Sequence, residues 1–553
     1  MGCPILTLNN SPAWLSGVLL ISIPVALPIV VLLYSVIAPI DLSDQSAAVW
    51  PHIRQTVLPT YLFNTFALMI LVGTLSAVIG IGTAWLSAKY TFPLSKLLAP
   101  ALILPLAAPA YVVGYVYAEL LEFSGPIQSF IREAFNLQKG DYFFPSIRSL
   151  GGAAIVISLV LYPYIYLLAR TSFVQQSMSL HEAARVLGAN SNRMFWRVAL
   201  PVARPAVAGG LALVLMETVA DYGVVEHFGV PTFTTGIFRT WYAMGEHSAA
   251  LQLAGWLFII VALLVSGERF ARRGHRFNPV NNQKTQASRP LVGLAGIAAT
   301  LACAAPVILG FGIPFGILVS HAISVGDPMV GKGFSNLLMN SVYVAALASV
   351  VCAIAALWLN YAERLRSGIW MRLMVRIATL GYAIPGMVLA VGLLVPLTFV
   401  DRALAGFLRE HFDGFSGLVI TGSVAGLVFV YVARFLTVSY NSTHTGMEAL
   451  HYNLDAAARS LGASPNRVLR HIHLPLLRPA LLSGLLLVFI DVMKELPATL
   501  ILRPFNFETL ATRVYRLAAD ERLSEASTAA LSIIFLGLIP TALLLLTTFW
   551  KKR

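Results

Sequence analysis

Four acidic residues stand in apolar surroundings at a spacing that occurs twice. Glu217 and Asp221 lie four residues apart in LALVLMETVADYG, and Asp491 and Glu495 lie four apart in LLLVFIDVMKELP, 274 residues further on. Carboxylates are hard oxygen donors suited to cations, and a four-residue step places each pair on one face of a helix. A charge inside a bilayer costs at least about 2.5–3.5 kcal/mol on insertion scales, so such acids face a bundle interior or water. Two readings stay open from the residues alone. The acids line a weakly attracting route for a cation, or they pair with neighbours as a structural brace, with Lys494 placed to neutralise Asp491. A tight chelate is not expected, because it would hinder release.

Other chemical candidates fall away one by one. Tyr111, Tyr115 and Tyr117 offer phenolate ligands, yet their place near a helix end fits an aromatic belt better. His471 and His473 flank Ile472 and read as a solvated face rather than a metal site. Cys3, Cys303 and Cys352 build no disulfide framework. Gly326–Lys332 fits the phosphate-loop spacing G-x-x-x-x-G-K, but Gly333 follows where a Ser or Thr hydroxyl should hold magnesium. No strand precedes that loop, and Pro328 disfavours it. No catalytic residue, metal ligand set or bound cofactor is therefore expected.

The elements that carry these residues are membrane helices. The chain has 553 residues, 58% hydrophobic and only 11% charged, against about 25% charged in soluble domains. Runs such as Trp14–Pro39 and Ala249–Gly267 meet the roughly 20-residue length of a spanning helix. Spans are expected at 14–39, 62–88, 97–121, 150–169, 206–225 and 249–267, then at 291–319, 337–360, 373–398, 418–438, 480–500 and 527–549. This is an all-α polytopic membrane protein with about 12 transmembrane helices in two six-helix repeats. The first domain covers 1–267, a basic linker 268–290, and the second domain 291–553. With both termini on the cytoplasmic side, inner loops collect 25 of the 38 basic residues and only five of the 25 acidic ones, as the positive-inside rule requires. That distribution accounts for a pI near 9.7 without nucleic acid.

One polar stretch interrupts each half. Residues 182–205, EAARVLGANSNRMFWRVALPVARP, and residues 456–479, AAARSLGASPNRVLRHIHLPLLRP, agree at twelve of twenty-four positions. Each reads as two short helices about a turn. Ser179 and Glu182 form a capping box, Asn453 caps the second copy, and Gly188 and Gly462 sit where a left-handed stop belongs. Leu200-Pro201 and Leu474-Pro475 are expected to end the second short helix. An amphipathic helix resting on lipid headgroups explains one such copy. Two copies with a small-residue patch at Ala183-Ala184 point to docking on a cytoplasmic subunit.

The pattern Glu182-Ala183-Ala184, Gly188 and Leu200-Pro201, repeated as Ala456-Ala457-Ala458, Gly462 and Leu474-Pro475, resembles the coupling loop of binding-protein-dependent ABC importer permeases. The stretches Met216–Tyr242 and Asp491–Tyr515 are similar to those of ferric-iron importer permeases. The resemblance covers the whole chain and implies the fused, tandem ABC importer permease (MetI-like) fold in the bacterial inner membrane. It further implies two copies of a separate cytoplasmic ABC ATPase that holds ATP and Mg, and a periplasmic binding protein for ferric iron. Ala456 replaces the glutamate of the motif, which puts equal grip on both ATPases in doubt. Thiamine or another small organic cation is the alternative cargo. A proton- or sodium-coupled carrier working through Glu217 and Asp491 would need no ATPase contact, and the repeated cassette argues against it.

Overall fold

A computed structural model describes residues 12–38, 40, 49–176, 184, 186–188, 190–272, 289–331, 333–366, 368–411 and 417–545. Among the described residues, ten helices are long and apolar enough to cross a membrane, including Trp14–Ile37, Leu58–Lys89, Leu150–Gln175, Phe334–Leu365 and Val424–Glu448. An eleventh span, expected at 97–121, is broken into Ser95–Ala107 and Ala110–Phe135 with a 92° bend. Pro105 and Pro109 cause the break, since proline removes an amide donor and restricts the residue before it. At the place of the twelfth lies the apolar helix Leu523–Leu545. The sole strand pairing among the described residues is a two-residue parallel bridge of Tyr90–Thr91 with Arg289–Pro290. Most of the basic linker lies outside the described residues.

The chain packs into two compact units, which divide it differently from the sequence halves 1–267 and 291–553. One is drawn from Met1–Ala47, Thr240–Phe258 and Met329–Thr512, the other from Ala48–Arg239, Ile259–Pro328 and Arg513–Arg553. In the first, helices Phe334–Leu365, Val424–Glu448 and Leu474–Met493 form the centre, and Pro12–Ile37 packs on them through Trp14, 4.3 Å from Trp358 and 5.1 Å from Tyr361 between ring centroids. In the second, Leu58–Lys89, Leu150–Gln175 and Leu200–Ala220 form the centre. Small residues let these helices touch at backbone distance. A Cβ on Gly210 would lie 2.7 Å from Ile165 Cα, and one on its counterpart Gly484 would lie 3.1 Å from Ser439 Oγ.

Each unit ties a loop to its centre by the same device. Asn64 Nδ2 donates to Pro231 O at 2.9 Å, and Asn340 Nδ2 donates to Glu508 O at 3.3 Å. One residue on, Thr65 and Ser341 hydroxyls accept from the amides of Phe233 and Leu510. The loop helices behind them carry matching threonine caps, Thr232 with Thr235 and Thr509 with Thr512. These bonds satisfy amides that helix starts leave open.

Among the described residues, a π-turn followed by proline occurs three times. Phe195–Ala199 precedes Leu200-Pro201, Ile308–Gly312 precedes Ile313-Pro314, and Leu469–His473 precedes Leu474-Pro475. In each, the residue before proline bonds five residues back. Proline offers no amide and its ring presses on the preceding turn, so a locally wider turn absorbs both. Leu-Pro therefore does not end the second short helix of the cassette, as expected above. The helix continues through the wide turn into the membrane helix, and Pro205 and Pro479 lie inside it.

Candidate functional site

The second cassette is complete. Helix Asn453–Ser460 buries only Asp455 and Ala458. It ends in a Schellman turn: Gly462 N donates to Arg459 O at 2.9 Å and Ala463 N to Ala458 O at 3.0 Å. Gly462 has φ +79° and Gly188 φ +78°, as the left-handed stop requires, and nothing crowds either position. Asn453 is the first helical residue and not the cap, because Tyr452 precedes it in helical geometry. A second short helix then begins at Pro465, against Ser191 in the first copy, where Asn190 Oδ1 accepts the Arg193 amide at 2.8 Å. Glu182, Ala183 and the Ser179 cap lie outside the described residues. Ala184 and its counterpart Ala458 are buried, while Ala456 and Ala457 are exposed. The alanines of the second copy thus face two ways.

Leucine caps the outer end of each cassette. Leu187 is 84% exposed and Leu461 87% exposed, each beside its left-handed glycine. The repeated Leu-Gly was visible in the sequence, but its exposure was not, because leucine ordinarily marks the inward face.

A buried polar network holds the second cassette. Arg364 donates through Nε to Asp455 Oδ2 at 2.7 Å, and to the carbonyls of Met447 and Leu450 at 2.8 and 3.0 Å. His473 Nε2 lies 2.6 Å from Asp455 Oδ1, and Tyr361 donates to Pro465 O at 2.7 Å. His473 is therefore buried, contrary to the solvated face expected, because the π-turn rotates it inward beneath the cassette; His471 stays exposed. The first copy has Ala88 and Ala199 at the positions of Arg364 and His473, and packs aromatic rings instead, Trp85 at 5.1 Å from Phe195 and 5.3 Å from Phe173. Nothing local linked Arg364 to Asp455 across 91 residues.

The four acids fall at two matched helix breaks rather than along two helices. Helix Leu200–Ala220 stops one residue before Asp221, and Leu474–Met493 stops two residues before Glu495. Glu217 and Asp491 occupy the last turns. Asp221 and Glu495 lie beyond the ends and cap the short helices that follow: Asp221 Oδ1 accepts from Val224 and Val225 at 3.1 and 3.2 Å, and Glu495 Oε1 from Ala498 at 3.2 Å. A shared helix face was expected for each pair. The carboxylates instead satisfy amides that a broken helix exposes.

Electrostatic partners separate the two breaks. Lys494 Nζ is 3.0 Å from Asp491 Oδ1, and Arg434 Nη1 is 2.8 Å from Glu495 Oε1, the latter pair buried. Arg434 stands inside helix Val424–Glu448 and is buried there. A Cβ on Gly386 would collide with that pair. At the other break the equivalents of Arg434 and Gly386 are Val160 and Ala110. Tyr117 donates to Leu309 O at 2.6 Å, while Tyr111 and Tyr115 are buried. No group of three or more His, Cys, Asp or Glu suited to a metal occurs among the described residues. The false phosphate loop is structural: Asp327 is buried in a two-bonded pair with Arg513 at 2.9 and 3.2 Å, and helix Ile313–Ser324 precedes it.

Comparison with known proteins places this architecture. The family described as binding-protein-dependent transport system inner membrane component matches twice, over residues 76–267 and 353–551. The chain is 26% identical over 551 residues to the Fe(3+)-transport system permease protein FbpB 2 of Haemophilus influenzae, covering 97% of this chain and 98% of that one. It is 24% identical to the putative ferric transport system permease protein FbpB 1 of the same organism, covering 84% and 73%. It is also 24% identical to the ferric transport system permease protein FbpB of Actinobacillus pleuropneumoniae, covering 84% and 65%. The chain belongs to the binding-protein-dependent transport system inner membrane component family, as a fused tandem ABC permease.

Proposed function

From that membership we propose that the chain is the transmembrane subunit of an ATP-driven importer that takes ferric iron from a periplasmic binding protein into the cytoplasm. Both termini are cytoplasmic, so both cassettes face the cytoplasm. Each docks one copy of a separate ABC ATPase, which binds ATP and Mg and performs the hydrolysis. The observation that carries the docking role is the repeated tip. Two cassettes 274 residues apart share a left-handed glycine, a solvent-facing leucine beside it and a π-turn leading into a membrane helix. An exposed apolar tip on a built turn is suited to insertion into a protein groove. End-to-end similarity to a ferric-iron permease supports the cargo.

The test is reconstitution in liposomes with the ATPase and the binding protein. The chain alone should neither hydrolyse ATP nor take up iron under a proton or sodium gradient. Iron uptake should require the ATPase, ATP and the iron-loaded binding protein together. Gradient-driven uptake by the isolated chain refutes the ABC reading, and uptake of thiamine in place of iron refutes the cargo.

A further inference from the structure

The helix break at Asp221 is surrounded by phenols that the fold does not need. Tyr115 is 2% exposed and Tyr222 fully buried. Tyr222 Oη lies 2.9 Å from Tyr515 Oη. The Tyr115 ring is 5.8 Å from that of Tyr111 and 4.6 Å from that of His227. Its hydroxyl makes no hydrogen bond, yet it stands within electrostatic reach of Tyr111, Tyr515, Asp221 and Glu226. Burying a hydroxyl without a partner is costly, so this arrangement needs a reason.

The internal repeat shows that the reason is not packing. The positions equivalent to Tyr111, Tyr115, Tyr222 and Glu226 are Met387, Val391, Leu496 and Leu500. Met387, Val391 and Leu496 are at most 1% exposed. The same helices at the other break are thus filled by apolar side chains. An aromatic belt is also excluded for Tyr111 and Tyr115, because belt residues meet the membrane interface and these are buried.

We propose that Tyr111, Tyr115, Tyr222 and Tyr515, with the carboxylates of Asp221 and Glu226, form a transient coordination site for a trivalent cation in transit, in one unit only. This inference rests on the ferric-iron reading above. Phenolate and carboxylate oxygens are hard donors that match a hard, highly charged ion. Each phenol that coordinates releases its proton to water, and the unpartnered Tyr115 hydroxyl gives up no existing bond in doing so. Two calls on the cluster keep it weak, which release requires: Glu226 already faces Arg239 at 3.3 Å, and Asp221 holds two amides.

Ferric nitrilotriacetate titrated into the detergent-solubilised full chain should produce a visible phenolate-to-iron charge-transfer band. Tyr115→Phe should weaken the band several-fold, and Tyr115→Phe with Tyr515→Phe should abolish it in a chain that still folds. No band in the folded wild-type chain overturns the proposal. So does a band that survives in the folded double variant, which marks an adventitious ion only. If the double variant does not fold, peroxide and ascorbate are added to the iron-loaded wild-type chain, and oxidised peptides are mapped by mass spectrometry. Oxidation centred on Ala110–Leu121 and Leu510–Ala519 supports the site, and oxidation elsewhere overturns it. Iron uptake by the assembled transporter is measured in parallel. Uptake without binding at the cluster overturns the cluster alone, whereas absent iron uptake overturns the cargo and the cluster with it.

Discussion

Changing one atom of Asp455 tests how the second cassette is held. The Asp455 side chain is 10% exposed and Arg364 5% exposed. Its oxygens meet Arg364 Nε at 2.7 Å and His473 Nε2 at 2.6 Å. Asp455→Asn preserves shape, removes the charge that faces Arg364 and turns one of the two acceptor atoms into a donor. Hydrogen bonds to charged groups contribute about 1.5–3 kcal/mol, and breaking a buried pair costs about 3–5 kcal/mol. Arg364 keeps its carbonyl partners Met447 and Leu450, which sets the expected loss at the lower end, about 3 kcal/mol. The loss is local, because helix Asn453–Ser460 is buried only through Asp455 and Ala458. At about 1.4 kcal/mol per tenfold, backbone amides of 453–462 should exchange with deuterium about a hundredfold faster in the purified chain. Protection across Phe334–Leu365 and Val424–Glu448 should stay unchanged. A folded Asp455→Asn chain whose 453–462 segment exchanges like the wild type refutes the anchoring role of this network.

Three further outcomes are expected. Gly188→Arg with Gly462→Arg forces side chains into the left-handed region, at about 1–2 kcal/mol each; membrane insertion should be normal and crosslinking to the ATPase lost. Gly386→Ala displaces the Arg434–Glu495 pair and should destabilise the chain by about 3–5 kcal/mol, read as a lower melting temperature, whereas Ala110→Gly at the equivalent position should change it little. Glu217→Gln should slow iron uptake while ATPase stimulation by the binding protein survives, and Asp491→Asn, which removes the partner of Lys494, should lower the melting temperature; normal uptake by Glu217→Gln with a large fall in melting temperature would reject its route-lining role.

The helices were legible because hydropathy is a local property and spans need about 20 apolar residues in a row. The cassette turn was legible for the same reason: a glycine after a helix-forming run implies a left-handed stop whatever surrounds it. Tertiary context decided the rest. The four-residue step from Glu217 to Asp221 implied one helix face, but the break depends on where amides find partners, and the carboxylate itself supplies them. Pro201 and Pro475 read as terminators because proline ordinarily stops a helix, and a π-turn is set by backbone register rather than by a residue pattern. The pairs Arg434–Glu495 and Arg364–Asp455 join residues 61 and 91 positions apart, with no periodicity to announce them. Burial of Tyr111 and Tyr115 was missed because an apolar run with tyrosines looks alike at an interface and in a core.

The two breaks share a backbone plan but not a charge balance, and this bears on the question the acids first raised. At one, Asp491 and Glu495 each face a cation, Lys494 and Arg434. Those pairs cancel charge locally, and the buried one fixes the residue at 386 as glycine. At the other, Asp221 is held by backbone amides, which stabilise a negative charge without cancelling it, and phenols replace the apolar filling. Brace and route need not be alternatives for all four acids together. The pairing chemistry assigns bracing to Asp491 and Glu495, while the proposed cation site draws on Asp221 and the tyrosines at the other break. Such asymmetry is open to a fused chain, since each half can change its break without altering the other. In an importer built from two identical halves, any ligand placed at one break would be duplicated at the second, doubling the hold on a cargo that must be released.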